Sequence, residues 1–199
     1  MIFKIINRLS LYKRKLFTFY FLYIRTRLMP VRLTFQTLPL LTQKTRIAGF
    51  GRIELGKSVM LGIRTSPFLN TGEFYMAANK HCSAIKIGSD VSINNNAAII
   101  ANTSTITIGD NTLIGPNFMC FDSNFHSLDP TKRLIPAEAK SKAVLIGNNV
   151  FIGANVTVLK GSIIGDNSVI GAGCVISGEI PRDSVVSCAT NNTITMLKY

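Results

Sequence analysis

The sequence has no tryptophan, only two histidines, and no acidic residue before Glu54. The missing tryptophan, set against abundant Ile, Val, Asn and Gly, suits a solenoid better than a helical bundle. Two histidines, His81 and His126, cannot supply the three ligands of a histidine zinc site, so no metal is expected. Cys82, Cys120, Cys174 and Cys188 form no CxxC pair. They read as reduced thiols in a reducing compartment, not as a disulfide or zinc framework. The apolar stretch from Leu16 to Ile24 has nine residues, against the roughly 20 that a membrane-spanning helix needs. Tyr20, Tyr23 and the lack of a small-residue cleavage site argue against a secretory signal.

The missing acids define a region. Residues 1–46 hold ten basic side chains and no acidic one, whereas from residue 47 onward twelve bases face ten acids, so most of the +12 formal charge lies at one end. The reading is a basic, apolar, helical arm over 1–46 joined to a nearly neutral body. Lys and Arg around Phe, Tyr and Leu suit a helix lying on an anionic membrane face. A helix packed on the body or on a neighbouring subunit suits the same residues. No nucleic-acid module accompanies the charge, so no nucleic-acid partner is expected.

The clearest pattern is a period of six. From Ile146 the blocks are IGNNVF, IGANVT, VLKGSI, IGDNSV, IGAGCV and ISGEIP, opened by Ile146, Ile152, Val158, Ile164, Ile170 and Ile176. Gly follows the opener in four of the six blocks. Six fits neither a helix nor a lone strand. It fits a parallel β-helix in which three blocks make one triangular coil and each opener points inward. Gly at the second position answers either unusual backbone angles or a close approach of chain at a corner. The fifth position holds Val150, Val156, Ser162, Ser168, Cys174 and Ile180, mostly small enough for a narrow interior. Weaker repeats run from Ile47. They break at Pro67–Ala84, slip by three residues after IIANTS, and fail again at Phe118, which is large for an interior slot. The solenoid is therefore assigned to 47–186 and a C-terminal tail to 187–199.

Residues 121–143, FDSNFHSLDPTKRLIPAEAKSKA, have no repeat. A loop of that length without its own structure is usually functional. It carries His126, the side chain type best suited to proton transfer near neutral pH. Asp122 and Asp129 are each candidates to orient its ring.

The run IGDNTLIGPNFMCFDSNFHSLDPTKR, followed by VLIGNNVFIGANVTVLKGSIIGDNSVIGAGCVISGEIPRDSVV, resembles the hexapeptide-repeat acetyltransferases. The nearest subgroup is the maltose and galactoside O-acetyltransferases and relatives that modify bacterial surface polysaccharides. The resemblance implies an all-β, left-handed parallel β-helix, a homotrimer, and acetyl-CoA as donor to a sugar or glycan hydroxyl. It implies His126 as general base, followed by the Asp129 and Arg133 positions, and Asn94 as a second acceptor contact. Phe151, Gly153, Ala154, Ala172, Gly173 and Ser177 match donor-binding positions, with the Ala154 N–H as oxyanion donor. Where relatives end the coil with a GNPAK-like segment, this chain has SCATNNTITMLK. The function expected is sugar O-acetylation in surface-polysaccharide or lipid-linked glycan synthesis, cytoplasmic or peripheral at the inner membrane face. The alternatives are N-acetylation of a nucleotide-linked amino sugar, or a solenoid scaffold without activity.

Overall fold

Each opener turns inward, and this determines the architecture. The computed structural model describes residues 30–135 and 139–188, and the backbone of 193–196. Its short strands form three parallel sheets in which every third strand is a neighbour. The first sheet contains β1 (Arg32–Phe35), β4 (Arg52–Leu55), β7 (Ala84–Ile87), β10 (Thr105–Ile108), β13 (Val144–Ile146), β16 (Ile163–Ile164) and β19 (Glu179–Ile180). The second contains β2 (Leu40–Leu41), β5 (Met60–Leu61), β8 (Ser92–Ile93), β11 (Leu113–Ile114), β14 (Phe151–Ile152), β17 (Val169–Ile170) and β20 (Ser184–Ser187). The third contains β3 (Thr45–Gly49), β6 (Phe74–Ala78), β9 (Ala98–Ala101), β12 (Met119–Phe121), β15 (Thr157–Val158) and β18 (Val175–Ile176). The result is a left-handed triangular β-helix. β21 (Thr193–Met196) folds back antiparallel on β20.

Register places the openers in three interior ladders. Leu55, Ile87, Ile108, Ile146, Ile164 and Ile180 stack in the first sheet. Leu41, Leu61, Ile93, Ile114, Ile152, Ile170 and Val186 stack in the second. All of these are buried. Each buried aliphatic side chain contributes about 1.5–3 kcal/mol, so the ladders hold the coils together. Val150, Val156, Ser162, Ser168 and Cys174 are also fully or almost fully buried, as the period requires.

The corners separate two demands that the sequence left joined. Second-position glycines serve close approach: a Cβ at Gly147 would lie 2.4 Å from Asp166 Oδ1, and one at Gly153 would lie 2.6 Å from the Ala172 nitrogen. The left-handed backbone falls instead on the fourth position, at Asn149, Asn155, Gly161, Asn167 and Gly173. Asn tolerates that region because its short amide bonds locally. Here the amides bond between coils: Asn96 to Asn117 at 2.8 Å and Asn117 to Asn155 at 2.9 Å.

Four details differ from the sequence reading. The first coil begins with β1, so residues 31–46 belong to the solenoid; residues 1–29 of the basic arm lie outside the described residues. Phe118 is fully buried and extends the ladder instead of breaking it. Its row runs Thr45, Phe74, Ala97, Phe118, Val156, and the small Ala97 between two phenylalanines makes the room. Ile180 is not a fifth-position residue but the opener of the next coil, paired with Ile164. Finally, Pro67–Ala84 is not one irregular break: it contains β6, with a loop before it and a turn carrying His81 after it.

The irregularities concentrate on one edge. From the first sheet to the second, successive openers are always six apart, as in Leu55 to Leu61 or Ile146 to Ile152. From the third sheet back to the first, the chain inserts residues in four successive coils: at 49–51, 79–83, 102–104 and 122–143. The three-residue slip after IIANTS is the third of these. The loop at 62–73, between the second and third sheets, lies on another edge and is pinned by the buried Asn95 and Gln43.

Candidate active site

The long loop leaves this edge from a zipped base. Lys142 N–H donates to the Asp122 carbonyl at 2.8 Å, Ser123 and Ser141 form an antiparallel bridge, and Asn124 N–H reaches the Lys140 carbonyl at 3.4 Å. Asp122 is fully buried at the root. Its carboxylate accepts the N–H groups of Asn102, Thr103 and Ser104 at 2.7, 3.2 and 2.7 Å. Asp122 thus anchors the loop to the insertion below it, and no hydrogen bond joins it to His126.

Phe125, just before the histidine, has φ +59°, a left-handed conformation that costs a non-glycine residue about 1–2 kcal/mol. Its ring packs edge-on against Phe121 with centroids 5.6 Å apart, and its N–H bonds Ser123 Oγ at 3.0 Å. Local contacts therefore hold a strained turn that presents the next side chain.

That side chain is His126, which is exposed. Its Nδ1 lies 3.0 Å from the Arg133 carbonyl oxygen. A carbonyl only accepts, so in the neutral ring Nδ1 carries the proton and Nε2 is left with its lone pair. The ring is oriented by backbone, not by either aspartate. Asp129 caps the 3-10 turn Pro130–Lys132, accepting from Thr131 N at 2.9 Å and Thr131 Oγ1 at 2.7 Å. Those bonds, the hydroxyl's first, hold its carboxyl below the usual range. His126 and Asp129 border one cavity of about 260 Å³ with Asn124, Ser127, Leu128, Lys132 and Lys140. The Arg133 side chain reaches the Leu128 carbonyl at 3.4 Å.

The remaining expected site residues lie elsewhere. Phe151 points outward from the second sheet and is half exposed. Gly153 and Ala154 stack beneath Ala172 and Gly173 at the corner between the second and third sheets, where Gly173 N–H donates to the Ala154 carbonyl at 2.8 Å. Among the described residues the Ala154 N–H has no hydrogen-bond acceptor. Asn94 shares this edge lower down, its Oδ1 accepting from Asn95 N–H at 2.7 Å. Ser177 is exposed on the same edge as the loop, away from the corner at Gly153, Ala154, Ala172 and Gly173. One chain therefore presents two separate features on two edges: an oriented imidazole with a cavity, and a small-residue corner with an unspent N–H. Sequence reasoning missed Phe125 and the Arg133 carbonyl, because a strained aromatic and a backbone acceptor leave no residue-type signature.

Cys120 and Cys174 sit in the interior ladders. Burial, reinforced by the charge of Asp122, pushes the Cys120 thiol up. Burial, with a hydrogen bond and charge from Cys188, pushes the Cys174 thiol up to about 11. Neither is placed to act as a nucleophile.

The six-residue coils, the inward ladders and the single long loop define a hexapeptide-repeat β-helix protein. The family model for the bacterial transferase hexapeptide (six repeats) matches residues 143–178. The galactoside O-acetyltransferase of Escherichia coli K12 is 41% identical over 105 residues, 53% of this chain and 50% of that protein. The galactoside O-acetyltransferase of Lactococcus lactis is 35% identical over 139 residues, 70% of this chain and 64% of that protein. The chain thus spans about half to just under two thirds of these relatives. In fold it matches AntD, an N-acyltransferase from Bacillus cereus solved with dTDP and coenzyme A. The TM-score is 0.63 at 16% identity, covering 88% of each chain. Residues 143–178 thus carry the bacterial transferase hexapeptide repeat, and the chain is similar to hexapeptide-repeat acetyltransferases.

Proposed function

We propose that the protein is an acetyl-CoA-dependent O-acetyltransferase acting on a sugar hydroxyl, with His126 as general base. The observation that carries the reading is the imidazole itself. Its tautomer is held by the Arg133 carbonyl, and it borders a cavity on the longest departure from a rigid coil. A neutral imidazole with its Nε2 lone pair unused takes the proton of an attacking hydroxyl, which contributes on the order of 10²–10⁴-fold. The corner at Gly153, Ala154, Ala172 and Gly173 fits the thin thioester arm of acetyl-CoA. Nothing stands within 4 Å above Gly173, and side chains at the corner are at most a methyl group. Acetyl-CoA supplies the activated acetyl group. The Ala154 N–H then faces the charge developing on its carbonyl oxygen, an interaction whose removal typically costs about 10²–10³-fold. The acetyl group passes directly to the sugar oxygen as the hydroxyl proton goes to Nε2, and CoA leaves as a thiolate that takes this proton from the imidazolium to become the free thiol, restoring the neutral base.

Because the imidazole and the corner occupy different edges, the complete site forms between copies, with the loop of one protomer facing the corner of the next. This favours a homotrimer. The basic residues before Glu54 attract the assembly to an anionic membrane face, which suits an acceptor in surface-polysaccharide or lipid-linked glycan synthesis. Acetyl transfer from acetyl-CoA to a panel of sugars, followed by mass spectrometry, tests the proposal. Release of CoA with no acetylated product across a broad panel counts against it.

A further inference from the structure

The edge that carries the His126 loop also carries most of the other insertions, and in repeat folds insertions gathered on one face mark the binding face. Its lower coils have a distinct chemistry. The Phe50 ring is 51% exposed and meets the exposed His81 ring from the next coil at 5.6 Å. Arg52 follows Gly51 and pairs in register with Arg32; both are exposed, as is Lys80. Residues 49–52, 79–84 and 102–105 contain no Asp or Glu. The strictly periodic edge between the first and second sheets is the opposite: its corners hold Asp90, Asp110, Asp166 and Asp183 against only Lys57 and Arg182, the latter paired with Asp183 at 2.8 Å. The prism therefore separates charge between edges, and its field draws anions to the edge of the loop. The cavity beside His126 agrees: Lys132 and Lys140 line it against a single carboxylate, Asp129, already bonded to Thr131.

Resting on the reading of His126 as base, we propose that Phe50, Arg52, Lys80 and His81 form a distal subsite for an anionic acceptor saccharide. An exposed ring beside cations suits a sugar's apolar face with a charged group next to it. Parallel strands are about 4.8 Å apart. The turn at 79–83 lies two coils below the root of the loop and the turn at 49–51 lies three below, roughly 10–14 Å away at that spacing. The acceptor is then longer than one sugar: its phosphate or carboxylate sits at Arg52 and Lys80 while a hydroxyl nearer the loop meets Nε2.

The test is binding to the full chain at low salt of UDP-N-acetylglucosamine, trigalacturonic acid and maltotriose. The first two separate phosphate from carboxylate; the third is neutral. At least one anionic probe binds roughly tenfold or more tightly than maltotriose, as expected for charged hydrogen bonds. Arg52→Gln combined with Lys80→Gln removes about that factor, and Phe50→Ala weakens the same probe, while acetyl-CoA affinity stays unchanged. These side chains are exposed, so the variants fold. Maltotriose binding as tightly as both anionic probes, no binding of either anionic probe, or a fall in acetyl-CoA affinity instead overturns the subsite. Native protein that binds the anionic probes but transfers no acetyl group removes the catalytic reading and leaves the subsite standing.

Discussion

Replacing Asp122 by alanine separates anchoring from catalysis. The buried carboxylate accepts three N–H groups, two at 2.7 Å and one at 3.2 Å. Each donor left without a partner costs about 1–3 kcal/mol, and the lower figure applies where water can reach it. Thr103 is exposed and its neighbours Asn102 and Ser104 are half-buried, so water reaches the turn. The sum is about 3 kcal/mol, or a fall in Tm of roughly 6–12 °C for a chain of this size. Thermal unfolding measures it, alongside kcat/KM at several pH values. Activity should fall because the loop loosens, without a change in the shape of the acid limb. An Asp122→Asn protein of unchanged stability whose acid limb has moved would mean that Asp122 acts on the imidazole, and the anchoring argument would be refuted.

Three further expectations follow from the same geometry. At pH 8, iodoacetamide should label the exposed Cys82 in native protein and spare Cys120 and Cys174, whose thiols are buried and pushed up, Cys174 to about 11; peptide mapping that finds Cys174 labelled as fast as Cys82 contradicts the register. His126→Ala and Ala172→Trp should each be inactive alone, yet regain activity when co-expressed, because mixed oligomers contain some intact shared sites; no recovery in a mixture shown to be mixed places the whole site within one chain. Deleting residues 1–29 should abolish binding to anionic vesicles, and salt should weaken binding of the intact protein over the roughly 8–10 Å screening length; equal binding to neutral vesicles rejects an electrostatic contact.

The coils were legible because their period has a direct physical cause. An opener every six residues must turn inward, and Ile146 to Ile176 all do. The one long loop and its histidine were legible for the complementary reason, since nothing in the repeat accounts for them. Other features depend on partners distant in sequence. Phe118 looked too large until Ala97 proved to be its neighbour across a coil. Ile180 became an opener because the last corner is two residues short, which register reveals and spacing alone does not. The first coil was hidden by its charge: Phe35, Leu41 and Ile47 keep the six-residue spacing, but Arg32, Lys44 and Arg46 outside them read as an arm. Asp122 and Asp129 were both plausible partners for the ring because proximity in sequence does not distinguish a carboxylate that caps a turn from one that faces an imidazole.

The central claim is that His126 is the base, and kcat/KM for acetyl transfer in His126→Ala tests it most directly. The side chain is exposed on a loop outside the coils, so its loss opens no cavity and should leave folding, assembly and acetyl-CoA binding intact. His81→Ala, tested with a simple monosaccharide acceptor, is the matched control for losing an imidazole. The account predicts a fall of about 10²–10⁴-fold for His126→Ala and a far smaller one for the control. A His126→Ala protein that keeps most of its kcat/KM would contradict it.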